Sequence, residues 1–364
     1  MNQKVRILVV DDAVVVRRLA NNALSADPDL VVVGTASNGR IALARIPEVN
    51  PDLILLDMEM PEMDGLQTLA EIRKTYPRLP IIMFSTQTRR GAVATLDALS
   101  MGASDYVTKP NLLSGDAQDP KLFWRDLTAK IKALCLKDRP SDIVPSVPQV
   151  RSPSALLPAQ QDRRSSGRVD VVAIGVSTGG PNALAEVLPV LPPNFPVPVV
   201  VVQHMPPLFT RLLAERLSSQ SHLRVIEAVS GDRIFPGSIW VAPGDYHMVL
   251  ERHSDDLVTV QTNQNPPENW CRPSVDVLFK SVAETYVGQT LAVILTGMGQ
   301  DGLRGCETIA SFGGQIIAQD EATSVVWGMP GFVVHAGLAE KVLPLREIAP
   351  EIIRRVQVGR SFQP

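Results

Sequence analysis

Cysteine is scarce in this chain. Its 364 residues hold three, Cys135, Cys271 and Cys306, far apart and with no C-x-x-C pair. That spacing excludes a disulfide framework and a zinc knuckle, and it suits a reducing compartment. Net charge is small too: 35 Lys and Arg against 38 Asp and Glu leave −3. Neither nucleic acid nor an anionic membrane finds an electrostatic partner in such a balance, and no basic recognition helix stands out. No apolar run reaches the roughly 20 residues of a membrane-spanning helix, so the protein is not expected to be membrane-inserted. The opening residues Met1-Asn2-Gln3-Lys4-Val5-Arg6 meet Asp11-Asp12 too soon for a signal peptide, and the expected location is cytoplasmic. What is present, 45% hydrophobic and 20% charged residues, belongs to a soluble chain long enough for two or three domains.

The N-terminal part alternates strand and helix patterns. Apolar runs at 5–10, 30–33, 53–56, 81–84 and 105–107 are each followed by a helical period, the last over about 121–136. Five β/α units in order build a parallel sheet with helices on both faces. Asp11, Asp12, Asp57, Ser85 and Lys109 all fall at or just after strand ends, which converge on one rim. Three carboxylates there repel one another unless a hard cation such as Mg²⁺ joins them. Any one of them alone reads as a cap or a turn residue; the five together do not.

From about 137 to 168 the periods vanish among Pro140, Pro145, Pro148, Pro153 and Pro158. This composition reads as a flexible tether. A second α/β pattern follows. Its first strand ends in Gly175-Val176-Ser177-Thr178-Gly179-Gly180 and then Pro181, a glycine-rich strand-to-helix turn. By itself the G-x-S-x-G match fits either an exposed nucleophile or a phosphate cradle. His204 follows a second buried strand and Asp301 a third. A hydroxyl, a base suited to neutral pH and an orienting acid at three neighbouring strand ends read as Ser, His and Asp of a nucleophilic triad. Their chain order differs from that of α/β-hydrolases. Gly297-Met298-Gly299 reads as a tight turn or as a source of oxyanion donors. Residues 245–261 read as a hairpin that contains His247.

Two resemblances join these readings. Residues 4–122, with a helix continuing to about 136, resemble the receiver domain of a bacterial response regulator. The carrying residues are Asp11-Asp12, Leu55-Leu56-Asp57-Met58-Glu59-Met60-Pro61, Gly65, Ser85 and Lys109-Pro110. Residues 169–360 resemble the catalytic domain of the chemotaxis protein-glutamate methylesterase family, CheB. They do so through the Ser177 turn, Val202-Gln203-His204-Met205-Pro206, Ala242-Pro243-Gly244, Arg272-Pro273-Ser274-Val275-Asp276 and Leu295-Thr296-Gly297-Met298-Gly299-Gln300-Asp301-Gly302. The resemblance implies two doubly wound parallel-sheet α/β domains. One is a five-stranded flavodoxin-like receiver, the other a Rossmann-like methylesterase domain with a β-hairpin insertion. It implies a phosphorylation-activated esterase that hydrolyses glutamate methyl esters on methyl-accepting chemoreceptors and also deamidates receptor glutamines. Ser177 is then the nucleophile, His204 the base, Asp301 its orienting acid, and Thr178 and Met298 bind oxyanion or substrate. Asp57 accepts a phosphoryl group from a histidine kinase, CheA. Asp11, Asp12, Asp57 and the Glu59 backbone carbonyl serve Mg²⁺, while Ser85, Tyr106 and Lys109 act as the switch. The esterase chemistry needs no cofactor, and the receiver packs over the Ser177 rim. The alternative is a response regulator whose second half only binds a protein.

Overall fold

The computed structural model describes residues 4–86, 88–109, 120–136, 167–253 and 257–360. Nearly all of the expected tether, and the tip of the expected hairpin, lie outside these.

The N-terminal half runs β1 (Val5–Val10), α1 (Val14–Ser25), β2 (Leu30–Ala36), α2 (Gly39–Val49), β3 (Leu53–Asp57), α3 (Gly65–Thr75), β4 (Ile81–Ser85), α4 (Arg89–Ser100), β5 (Asp105–Thr108) and α5 (Pro120–Cys135). All its strands pair in parallel, in the order β2-β1-β3-β4-β5. The central strand β3 is buried at every position, which is why it reads as a continuous apolar run and not as an alternation. Asp64 and Gln67 close a capping box on α3 and fix where the chain re-enters the helix layer.

The C-terminal half contains β6 (Val171–Val176), α6 (Gly180–Val187), β7 (Val199–Gln203), α7 (Phe209–Gln220), β8 (Arg224–Glu227), β9 (Ser238–Val241), β10 (His247–Arg252), β11 (Val258–Asn263), α8 (Val275–Tyr286), β12 (Thr290–Ile294), α9 (Leu303–Ser311), β13 (Gln315–Gln319), α10 (Met329–His335), β14 (Lys341–Leu343) and α11 (Leu345–Val356). Seven parallel strands form one sheet in the order β14-β13-β12-β6-β7-β9-β8, and β10 with β11 make the separate antiparallel hairpin. The parallel-sheet α/β architecture expected from the alternation is therefore present in both halves. Helix α10 and edge strand β14 have no counterpart in the sequence reading. The first opens on Met329-Pro330-Gly331 and the second has three residues, so neither carries a period long enough to see.

Chain direction reverses at β6. The chain moves outward through β7 on one side and returns later through β12 on the other, which opens a crevice at the carboxyl ends of these strands. The same reversal occurs between β1 and β3 in the first sheet. The two halves are not separate bodies in this structure. One apolar cluster holds Leu96, Leu99 and Tyr106 of the first half with Leu184, Phe209 and Leu213 of the second.

Candidate active site

Ser177 follows β6 at that crevice. Its neighbours are set by strand register: Val176 pairs with Gln203 and Gly175 with Ile294. The His204 N–H then bonds the Val176 carbonyl at 3.2 Å, and the Ser177 N–H bonds the Thr296 carbonyl at 3.0 Å. Gln203 ties the two loops, its amide donating to the carbonyls of Ser177 (2.9 Å) and His204 (3.3 Å). Gly179 takes φ +79° at the start of α6, a conformation that a side chain would strain. Gly297 has to be glycine for a different reason: a Cβ there would sit 2.9 Å from Ser177 Cβ.

His204 Nε2 and Asp301 Oδ2 are 2.8 Å apart. Asp301 is buried and held from several sides. Ser274 Oγ (2.8 Å), Asn269 Nδ2 (2.9 Å) and the N–H groups of Val275 (2.7 Å) and Asp276 (3.1 Å) all donate to it. Burial alone would raise its pKa, but the His204, Val275 and Ser274 bonds outweigh burial and hold it at about 2. The imidazole shifts the other way. Burial disfavours its charge, yet the Cys271 sulfur 3.6 Å from Nδ1 and the Asp301 carboxylate keep His204 well above its ordinary value. Ser177 Oγ makes no side-chain hydrogen bond among the described residues. The acid and base are thus assembled, while the serine stands beside them unengaged.

Two further expected residues line this rim. Met298 and Thr178 leave their backbone N–H groups without an acceptor among the described residues, whereas the N–H of Gly297 is committed to the Val326 carbonyl at 3.0 Å. Sequence reasoning singled out no role for Cys271, Asn269, Ser274 or Asp276. The last two sit inside the Arg272-Pro273-Ser274-Val275-Asp276 segment, so the signal was present without its meaning. His247 opens β10, is buried, and accepts the Ser274 N–H on Nδ1 at 3.3 Å.

The rim is covered by the N-terminal half. Thr178 Oγ1 donates to Asp105 Oδ2 at 3.0 Å, and Asp105 also pairs with Lys130 Nζ at 2.7 Å. Asn182 Nδ2 reaches the Leu99 carbonyl at 2.8 Å. Arg216 reaches Asp97 Oδ1 at 2.6 Å and Ser100 Oγ at 2.9 Å. The Tyr106 and Phe209 rings stack, 4.9 Å apart and 9° from parallel. The Arg125 guanidinium lies 5.1 Å from the Trp270 ring. Met298 and Val325 share an apolar cluster with Phe123 and Trp124 of α5.

The carboxylate centre of the first sheet lies at its own switch point. Asp11, Asp12 and Asp57 each offer an oxygen within 4.8 Å of the others. Lys109 Nζ bridges Asp57 Oδ1 (2.7 Å) and Asp11 Oδ2 (2.9 Å). Burial lifts the Asp57 pKa to about 6, against the pull of Lys109 and of a hydrogen bond from the Glu59 backbone. Two buried carboxylates, the exposed Asp12 beside them and a single lysine suit a hard, oxygen-seeking cation such as Mg²⁺. Ser85 is turned away from it. Its hydroxyl reaches the Gly91 carbonyl at 3.3 Å and accepts from Thr95 Oγ1 at 2.6 Å.

Comparison with known proteins agrees with this division. Residues 172–352 match the CheB methylesterase family model, and residues 7–114 match that of the response regulator receiver domain. A protein-glutamate methylesterase/protein-glutamine glutaminase of Trichodesmium erythraeum is 53% identical over 97% of this chain and 99% of its own. One of a Nocardioides species is 50% identical over 97% and 95%. The crystal structure of the CheB methylesterase catalytic domain of Thermotoga maritima is 46% identical and superposes with a TM-score of 0.50, covering 51% of this chain and 98% of that one.

Proposed function

The chain belongs to the CheB methylesterase family, with a response regulator receiver domain ahead of the catalytic part, and from that premise we propose how its residues divide the work. The protein is a protein-glutamate methylesterase and protein-glutamine glutaminase under receiver control. Its substrates are glutamate methyl esters and glutamines of methyl-accepting chemoreceptors. Its phosphodonor is a histidine kinase of the CheA kind, and its place is the cytoplasm, in keeping with the absence of any helix among the described residues long and apolar enough to cross a membrane. The receiver takes 4–122 with its closing helix to about 136, the linker 137–168 and the esterase 169–360.

The observation that carries the catalytic assignment is the His204–Asp301 pair, 2.8 Å apart on strand ends adjoining Ser177. Asp301 holds Nε2, so Nδ1 is the nitrogen that takes the Ser177 proton as Oγ attacks the ester carbonyl. The tetrahedral oxyanion is met by the free N–H groups of Thr178 and Met298. His204 then gives its proton to the leaving methoxide, and methanol departs. Water attacks the acyl-Ser177, loses a proton to His204 and leaves glutamate; the proton returns to Oγ. On a glutamine the same sequence releases ammonia.

In the closed arrangement neither entrance nor base is ready. Asp105 occupies the Thr178 hydroxyl, and the imidazole, engaged by Asp301 at Nε2 and by Cys271 at Nδ1, must turn from the sulfur before it can serve Ser177. Phosphorylation of Asp57 adds negative charge and acceptor oxygens beside Lys109, to which the Ser85 hydroxyl can turn. Asp11, Asp12, Asp57 and the Glu59 carbonyl would hold Mg²⁺, which would supply the positive charge that the transfer needs. Ser85 leaving Gly91 and Thr95 loosens α4, and Tyr106 leaving Phe209 opens the seam. The test is Ser177→Ala: it should fold as the parent does and release almost no methanol from methylated receptor. A rate near that of the parent defeats the nucleophile assignment and favours an output half that only binds.

A further inference from the structure

The face of His204 that Asp301 does not hold meets sulfur. Nδ1 lies 3.6 Å from Cys271 Sγ, and His204, Cys271 and Asp301 each present a ligating atom within 4.8 Å of the others. A tetrahedral Zn²⁺ with Zn–N of about 2.0–2.1 Å and Zn–S of about 2.3 Å spaces such a pair by about 3.5–3.6 Å. The far edge of the ring completes the pattern. Nε2 bonds a carboxylate at 2.8 Å, the outer contact that orients a metal-bound imidazole and strengthens it as a ligand. That carboxylate is itself fixed by Asn269 and Ser274. Neither His204 nor Cys271 is fully buried, so an ion can reach both.

We propose that His204 Nδ1 and Cys271 Sγ form an inhibitory site for a thiophilic divalent cation of the Zn²⁺ class, with Asp301 as outer partner and water in the remaining positions. Metal binding requires a thiolate and an unprotonated Nδ1, so any protons held there leave to solvent. It occupies the lone pair that Ser177 needs, so inhibition follows directly from the mechanism above and rests on that reading. The site discriminates between the chain's two cations by ligand chemistry. Sulfur and imidazole select Zn²⁺, while the three-carboxylate centre of the receiver selects Mg²⁺.

Two measurements on the full chain separate site from consequence. One equivalent of Co²⁺ should produce a thiolate-to-metal charge-transfer band in the parent and in Cys135→Ser, and none in Cys271→Ser. Buffered Zn²⁺ should inhibit methanol release, each protein being referred to its own metal-free rate. Half-inhibition of Cys271→Ser should need at least about tenfold more Zn²⁺, the loss expected when a site is stripped of an important partner. No band in the parent, or a band that survives Cys271→Ser, overturns the site. A Cys271-dependent band with equal Zn²⁺ sensitivity in both proteins overturns the inhibitory role. Absence of methanol release in every metal-free sample is instead a failure of the esterase reading, and the Co²⁺ spectrum still decides the site.

Discussion

On the proposed gating, closure of the receiver over Ser177 is an equilibrium that one arginine should tilt. Arg216 on α7 reaches across to α4, 2.6 Å from Asp97 and 2.9 Å from Ser100 Oγ. The Asp97 side chain is 47% exposed, so solvent screens the ion pair to about 0.2–1 kcal/mol. The bond to Ser100 contributes about 0.5–1.5 kcal/mol. Arg216→Ala should therefore weaken the closed state by about 1–2 kcal/mol, which is roughly 5- to 30-fold in the closed-to-open ratio. If closed molecules dominate, methanol release without phosphodonor rises by nearly that factor. The stimulated rate stays put, because those molecules are already open. The assay is methanol release from methylated receptor with and without phosphodonor. Asp97→Ala should raise the basal rate as well, and the double variant should gain less than the product of the two, since both remove one contact. An unchanged or lower basal rate in Arg216→Ala, or an equal rise in both states, refutes the reasoning.

Asp57→Asn should abolish stimulation by phosphodonor and leave basal release intact, as rates with and without phosphodonor will show. The same change should stabilise the fold. Burial raises the Asp57 pKa from 3.8 to about 6, so the parent loses on the order of 2–3 kcal/mol as pH climbs through that window. In Mg²⁺-free buffer at neutral pH the variant should melt higher than the parent, and added Mg²⁺ should narrow the gap. Asp301 has the opposite sign. With its pKa lowered from 3.8 to about 2, it contributes about 2 kcal/mol that is present above pH 4 and lost as pH falls through 2. Asp301→Asn should thus lower the melting temperature at neutral pH and cut methanol release by about 10³- to 10⁴-fold, because the imidazole loses its tautomer and its charge partner.

Much of this architecture was legible because buried parallel strands announce themselves. Val199–Gln203 and Leu53–Asp57 are buried throughout, and a polar residue at the end of such a run has to sit on the rim. That rule brought Ser177, His204 and Asp301 to adjoining strand ends, and Asp11, Asp12 and Asp57 to one centre. It could not reach side-chain orientation. Nothing in the pattern indicates that Ser177 stands apart from His204, or that a cysteine faces Nδ1. Cys271 reaches the imidazole because the preceding residues Asn269 and Trp270 take φ of +53° and +65°, a conformation no period encodes. The seam between the halves was expected from the family, but its members Asp105, Asn182 and Arg216 are ordinary polar residues until the two sheets meet.

The Thr178–Asp105 contact has a consequence for how signal and substrate speak to each other. On the proposed mechanism receptor and receiver would claim the same surface, so they would exclude each other, and exclusion works in both directions. If phosphorylating Asp57 makes room for a methylated helix, a methylated helix must by the same free energy favour the phosphorylated form of the receiver. Receptors rich in methyl esters would then do more than wait for an activated enzyme. Each one engaged would hold the receiver off the rim and prolong the state that the kinase produced. The load of unprocessed substrate would thereby help set how long the esterase stays switched on.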